Sequence, residues 1–227
     1  EPEPPAPVTE PEKTFEEVLD EHPVSIQVNG QWQTFPNAKA AEEASYEEYK
    51  ANLRRNAKNF RITDEHLGEG GPKAKFQANV NAIRLLKELE AAGQQASPEQ
   101  QEVLSRYVGW GGLSDAFDPE KPVWALEYAQ LKELLTPEEY AAARSSTLNA
   151  HYTSPTVIQA IYEAVGRMGF ETGNILEPSM GVGNFFGMLP EEMRNSRLYG
   201  VELDPVSGRI AKQLYPKADI TVGGFET

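Results

Sequence analysis

Residues 174–186 constrain this chain more than any other stretch. They read Asn174-Ile175-Leu176-Glu177-Pro178-Ser179-Met180-Gly181-Val182-Gly183-Asn184-Phe185-Phe186, a short apolar run that ends in an acid, turns through two glycines and enters a helix. Glycine lets a backbone approach a ligand closely, and a helix amino terminus adds a positive dipole end. The segment therefore reads as a nucleotide-binding turn at the end of a strand. A dinucleotide fingerprint would need a third glycine three residues after the second, where this chain has Phe186, and that argues against NAD or FAD.

The flanking sequence supplies the sheet. Ser154-Pro155 predicts the start of a helix running to about Met168, Leu198 to Glu202 a second strand, Pro205 to Leu214 a helix and Ile220 to Val222 a third strand. Strands and helices alternating with short connections give an open parallel α/β sheet. Glu202 ends the second strand about twenty residues beyond Gly181, where an acid in doubly wound folds accepts hydrogen bonds from ribose hydroxyls. Asp204, directly before Pro205, is better placed as a helix cap. Only three strands are legible, fewer than such sheets carry, so the chain is expected to stop partway through the fold.

The preceding residues follow a different grammar. Residues 1–13, rich in Pro and Glu, read as an extended linker. Residues 14–37 contain an Asn29-Gly30 pair between alternating runs, a strong hairpin signal, with Trp32 and Phe35 expected to pack it. Residues 38–147 read as a helical domain. One helix is expected from Ala38 to Lys58 and another from about Lys75 to Ala92, the latter with Val80, Ile83, Leu86 and Leu89 on one face. Ser97-Pro98-Glu99-Gln100 and Thr136-Pro137-Glu138-Glu139 are capping boxes with Pro in the first turn, so further helices start there. Gly70-Gly71-Pro72-Lys73 is not a Walker A loop and reads as a solvated loop. Trp110, between two glycines, reads as a core anchor in preference to a base-stacking platform.

Composition narrows the chemistry. There is no cysteine and there are only three scattered histidines (His22, His66, His151), so no metal site is expected. No window is apolar enough to span a membrane and no signal peptide follows Glu1, so a cytoplasmic setting is expected. The formal net charge of −14 weighs against nucleic acid, yet half of it sits in Glu1–Glu21, which has eight acids against one lysine. From Leu148 onward nine acids face six bases, mild enough for DNA chemistry if another segment meets the phosphates.

Taken in order, Tyr152-Thr153-Ser154-Pro155, then Glu177-Pro178-Ser179-x-Gly181-x-Gly183-Asn184-Phe185, then Gly200-Val201-Glu202-Leu203-Asp204-Pro205 resemble the amino-methylating DNA methyltransferases of the gamma arrangement, over residues 149–227. The resemblance implies an α/β, Rossmann-like methyltransferase fold with an incomplete parallel sheet over 148–227, preceded by the mainly helical domain and the amino-terminal β-hairpin. It implies S-adenosylmethionine as cofactor, with Thr153 and Ser154 at its methionine end. The turn from Glu177 to Asn184 is assigned to the methionine moiety and Glu202 to the ribose. Phe225 is assigned beside the adenine ring, with Gly224 where the family often has Asp. Tyr152, Phe185 and Leu203 complete the expected cofactor-binding set.

In that family a later Asn-Pro-Pro-Tyr motif polarises the adenine amino group while aromatics stack on the flipped base. No such run occurs between Glu1 and Thr227, so the chain is expected to bind the methyl donor without transferring the methyl group. Asn59-Phe60-Arg61-Ile62-Thr63-Asp64, Gly68-Glu69-Gly70-Gly71 and Tyr107-Val108-Gly109-Trp110-Gly111-Gly112 are similar to large methylase-helicase proteins of bacterial conjugative elements and phages. That similarity implies DNA as partner, through regions mostly outside this chain, and a helicase region in the same protein. The alternative function is a noncatalytic, methyltransferase-like interaction module, favoured by Gly224 and the added helical region.

Overall fold

The computed structural model describes residues 22–226, so the linker of 1–13 and the start of the 14–37 segment lie outside the described residues. The chain forms two compact units that divide between Asn56 and Ala57. In the first, β1 (Val24–Val28) and β2 (Gln31–Phe35) pair antiparallel, and the turn places Asn29 and Gly30 at φ of 52° and 75°. Asparagine and glycine tolerate that left-handed geometry best, which is why the pair signals the hairpin. Helix α1 (Ala38–Asn56) packs on both strands, with Asn37 Oδ1 accepting from the Ala40 amide at 2.9 Å. Val24, Ile26 and Val28 share the half-buried face of β1. Trp32 pairs with Gln27, so the period of two places it on the opposite face, and it is 71% exposed. Trp32 therefore does not pack the hairpin as expected, whereas Phe35, paired with Val24, is half-buried.

The second unit runs from Ala57 and includes both the remaining helices and the parallel sheet. Where composition suggests a change of domain near residue 148, the structure keeps 57–147 and 148–226 in one body. Its helices are α2 (Pro72–Ala91), α3 (Pro98–Ser105), α4 (Ala125–Leu134), α5 (Pro137–Ser146), α6 (Pro155–Arg167), α7 (Asn184–Gly187) and α8 (Pro205–Leu214). Val80, Ile83, Leu86 and Leu89 are buried along α2. That helix begins at Pro72, within the predicted loop, where Lys73 pairs with Glu127 at 2.6 Å and lies over the Trp124 ring. Both capping boxes form, at Ser97/Gln100 and at Thr136/Glu139. Trp110 is buried edge-on to Phe76, Tyr107 and Phe117.

Strands β3 (Asn174–Glu177), β4 (Arg197–Glu202) and β5 (Asp219–Val222) lie parallel in that spatial order. The helix after the glycine turn is a single turn, much shorter than the turn alone suggests. A side chain at Gly187 would collide with Ile62 and the Tyr215 hydroxyl, because residues 59–62 cross there as a strap. Phe60 N–H donates to Leu214 O at 2.8 Å, Ile62 N–H donates to Gly187 O at 2.9 Å, and Arg61 donates to Leu189 O. The Asn59–Asp64 motif thus ties the underside of the sheet's helices together, and Asp64 pairs with Arg106 at 2.5 Å. Among the described residues, no helix is long and apolar enough to cross a membrane.

Candidate functional site

The carboxyl ends of β3 and β4 open into a cavity of about 560 Å³. This is within the range of pockets that enclose a nucleoside-sized ligand. The glycine turn forms its floor. Met180 N–H bonds to Val201 O at 3.0 Å and Gly183 N–H closes the turn onto Met180 O at 2.8 Å. Gly181 and Gly183 sit at φ of 57° and 86°, and each is also a point of close approach. A Cβ at 181 would lie 2.8 Å from the Tyr152 ring, and one at 183 would lie 2.5 Å from the Tyr215 ring. Any larger residue at either position meets both backbone strain and a ring.

Glu202 locks this floor from the end of β4. Its Oε2 accepts from Gly181 N–H at 2.6 Å and its Oε1 accepts from Asp204 N–H at 2.8 Å. Each carboxylate oxygen has a second lone pair, so Glu202 retains capacity for a ligand's hydroxyls. Asp204 caps α8, its Oδ1 accepting from Ser207 N–H at 2.7 Å.

Tyr152 is a wedge between the two parts of the unit. Its ring lies 2.6 Å from where a Cβ on Gly109 would sit, and its hydroxyl lies 3.3 Å from Ser207 Oγ. Burial pushes its hydroxyl pKa well above the ordinary tyrosine value, so it stays neutral. The close packing explains the glycines of the Tyr107–Gly112 motif: a Cβ on Gly111 would fall 2.1 Å from Ala150 O. Buried Asn79 fixes that loop, donating to Gly109 O at 2.6 Å and accepting from Val108 N–H at 2.9 Å.

Nine of the thirteen expected cofactor residues line the cavity: Tyr152, Thr153, Glu177, Ser179, Gly181, Asn184, Phe185, Glu202 and Leu203. Ser154, Pro178, Gly183 and Phe225 do not. Ser154 precedes α6 without capping it through its side chain, and it lines a smaller neighbouring cavity of about 290 Å³. Gly183 faces Tyr215, and Phe225 stands 61% exposed beyond β5. The opposite wall comes from residues that sequence reasoning missed, namely Tyr107, Gly109, Ala142, Ser145, Ser146 and Asn149–His151; Met180, within the assigned turn, and Asp204 and Ser207, at the start of α8, also line the cavity. The only advance signal for that wall was the glycine-rich Tyr107–Gly112 motif.

Two acceptors in the cavity have no partner among the described residues. Asn184 Oδ1 is buried without a hydrogen bond. Glu177, half-buried at the end of β3, has no cation beside it, and burial pushes its carboxyl pKa above the ordinary range. A raised carboxyl pKa means that folding favours the protonated form. Stability is therefore greatest below the unfolded value and declines as pH rises through the folded value. Glu177→Gln should raise the melting temperature at pH 7 by roughly 1–3 °C, and the gain should vanish below about pH 4.5. The same change should weaken any cationic ligand. Melting curves at the two pH values, read beside calorimetric affinity, check both signs. A variant that loses stability at pH 7 would show that Glu177 has a structural partner.

Comparison with known proteins gives two partial similarities. The chain is 25% identical over 159 residues to Defense against restriction protein B of Escherichia phage P1, covering 70% of this chain and 6% of that protein. Over 76 residues it is 37% identical to Type II methyltransferase M.CvrRI of Paramecium bursaria Chlorella virus XZ-6E, covering 34% of this chain and 19% of that enzyme. The chain thus spans 6% and 19% of the lengths of these relatives. No family model matches the chain, and no solved structure does. The similarities tie the chain to methyltransferase-related sequences at the level of class only.

Proposed function

We propose that residues 57–226 form the S-adenosylmethionine-binding part of a DNA methyltransferase that acts on the N6 amino group of adenine. The observation that carries the reading is the placement of Glu202 over the glycine turn, at the rim of a cavity that also holds two unpartnered acceptors. Glu202 would accept from the ribose hydroxyls. Glu177 and Asn184, at the other end of the turn, would receive the ammonium and face the sulfonium of the methionine moiety. Thr153 and Tyr152 would close that end, and the α5 wall with Ala142, Ser145 and Ser146 would exclude water from the bound nucleoside. When bound, S-adenosylmethionine supplies an electrophilic methyl group on its sulfonium. The partial similarity to a type II methyltransferase supports the cofactor and DNA as the partner.

Calorimetry of the chain with S-adenosylmethionine, S-adenosylhomocysteine and NAD tests this directly. Binding of the first two is expected, with NAD weaker or absent, and tighter binding of NAD would overturn the assignment. Binding of none of them would favour the interaction-module reading. The 227 residues contain no Asn-Pro-Pro-Tyr-like run, so this chain is expected to bind the donor without methylating DNA. Positioning and polarising the acceptor amine account for several kcal/mol of barrier lowering, and the motif that supplies both in the family the sequence resembles has no counterpart in these 227 residues. Incubation with radiolabelled donor and unmodified duplex DNA, followed by base analysis, would disprove this if label appeared in N6-methyladenine.

A further inference from the structure

A second cavity, of about 450 Å³, opens in the same unit between the carboxyl half of α6 and the 3₁₀ turn Glu191–Met193. It shares no residue with the cavity at the ends of β3 and β4. We propose that it receives an arginine side chain, with an apolar neighbour, from a segment of a partner protein. The inference is independent of the S-adenosyl reading, and either can fail alone.

Three observations carry it. First, the floor is apolar and firm. Tyr162 and Met193 are buried, Phe170 and Met188 are half-buried, and the Tyr162 hydroxyl donates to Phe185 O at 2.7 Å, which fixes its ring. Second, the charged residues on the rim are all acids: Glu163, Glu171 and Glu192 line it and no base does. The nearby cations are engaged, Arg167 with Glu163 at 2.5 Å and Arg194 with Glu191, whereas Glu171 and Glu192 have no ion pair among the described residues. Third, Gly166 stands in the last turn of α6, where glycine is a poorer helix residue than alanine. Packing does not require it either, because a Cβ there would meet only Met193 Cε, at an ordinary 3.9 Å. What the missing side chain does is leave the space over Met193 open.

The chemistry selects the occupant. A carboxylate rim repels phosphate, which disfavours nucleic acid and anionic lipid. A strongly hydrated free ammonium brings too little apolar surface to cover the floor. Arginine joins the two requirements: its stem lies along apolar surface, its flat guanidinium stacks on aromatic planes, and its fork of donors spans carboxylates. The methionines adapt to whichever apolar residue accompanies it.

The test is fluorescence anisotropy of the whole chain with a labelled short peptide carrying Leu-Arg-Leu between Gly-Ser flanks, and with the same peptide carrying Gln in place of Arg. The arginine peptide should bind about tenfold tighter at low salt and lose most of that margin at high salt, because the rim carboxylates are exposed and screened. Glu171→Gln combined with Glu192→Gln should remove the margin, weakening the arginine peptide about tenfold and the glutamine peptide little. Gly166→Leu should abolish binding of both peptides while melting at or above the temperature of the unaltered chain, a combination that unfolding does not produce. Equal binding of the two peptides, no binding of the arginine peptide at about 1 mM, or binding retained in Gly166→Leu overturns the inference. Spermidine or Nα-acetylarginine amide binding as tightly as the peptide would make this a site for free cations. Self-association of the chain that Gly166→Leu abolishes would make the occupant a second copy. Either result overturns the assignment to a partner's segment.

Discussion

Replacing Glu139 with Ala should lower the unfolding free energy by about 3 kcal/mol and loosen the cavity at the ends of β3 and β4. The Glu139 side chain is 6% exposed, and its Oε1 pairs with Arg209 at 2.7 Å. Its Oε2 pairs with Lys87 at 2.7 Å and accepts from Thr136 N–H at 3.0 Å. Arg209 also pairs with Glu90 at 2.9 Å, so one carboxylate joins α2, α5 and α8. Removing one partner of a buried ion pair costs about 3–5 kcal/mol, because the remaining charges lose compensation. Lys87 and Arg209 keep 32% and 29% exposure and can rehydrate, which places the expected loss at the lower end. Burial opposes ionisation of Glu139, but the bonds from Lys87, Thr136 and Arg209 outweigh it and hold the carboxyl below its usual range. A lowered pKa gives stability that is complete above the unfolded value and lost as pH falls through the folded one. The difference between the native chain and Glu139→Ala should therefore be full at pH 7 and shrink below about pH 4.5. Urea titrations at both pH values measure it. A loss under about 1 kcal/mol at pH 7 would mean that the network is worth no more than a surface pair. Because α5 carries Ala142, Ser145 and Ser146 on the cavity wall, the proposed affinity for S-adenosylhomocysteine should fall along with stability.

What the sequence reveals here depends on how local the cause is. The hairpin is legible because Asn29 and Gly30 tolerate positive φ by themselves, and α3 and α5 are legible because each capping box closes within four residues. Helix α4 carries no such signal: it starts at Ala125 after a 3₁₀ turn, with Trp124 in the cap position and no side-chain hydrogen bond. Helix α7 stops at Gly187, whose carbonyl accepts from Ile62 N–H, a partner distant in sequence, while Pro190 is the local part of the stop. Trp32 shows a different limit, since an alternating strand does not announce which of its faces a helix will cover.

The site follows the same division. Glu177, Gly181, Asn184 and Glu202 sit at strand ends, where the α/β grammar alone brings residues to a common edge. The α5 wall is invisible in advance because the contacts that dock α5, among them Glu139 with Arg209 and Lys87, join residues far apart in the sequence. Gly109 and Gly111 were the nearest thing to a warning. Their role is to admit Tyr152 and the Ala150 carbonyl, so they report a close approach without identifying its partner.

Glu202→Ala should weaken S-adenosylhomocysteine by about 1.5–3 kcal/mol, roughly tenfold to 150-fold in dissociation constant. On the proposed reading the Glu202 carboxylate takes both ribose hydroxyls, and charge-assisted bonds of this kind are worth that much. The structure adds a second consequence that position at the strand end did not reveal. Glu202 also accepts from the Gly181 and Asp204 amides, so the variant should melt earlier, its glycine turn no longer fixed to β4. Affinity must therefore be measured well below the melting temperature, where the fraction unfolded does not enter the binding constant. Asp204→Ala is the comparison. It removes the side-chain cap on Ser207 N–H and should cost about 1 kcal/mol of stability, with affinity changed less than about threefold. Glu202→Gln separates the two roles of the acid. Its amide oxygen can still hold one of the two backbone amides, while the anionic acceptor for the ribose is gone. It should recover part of the lost melting temperature and little of the affinity. If Glu202→Ala and Asp204→Ala weaken the ligand equally, the ribose is not held at the end of β4. The glycine turn would then be a structural corner, and its acid an anchor for the turn alone.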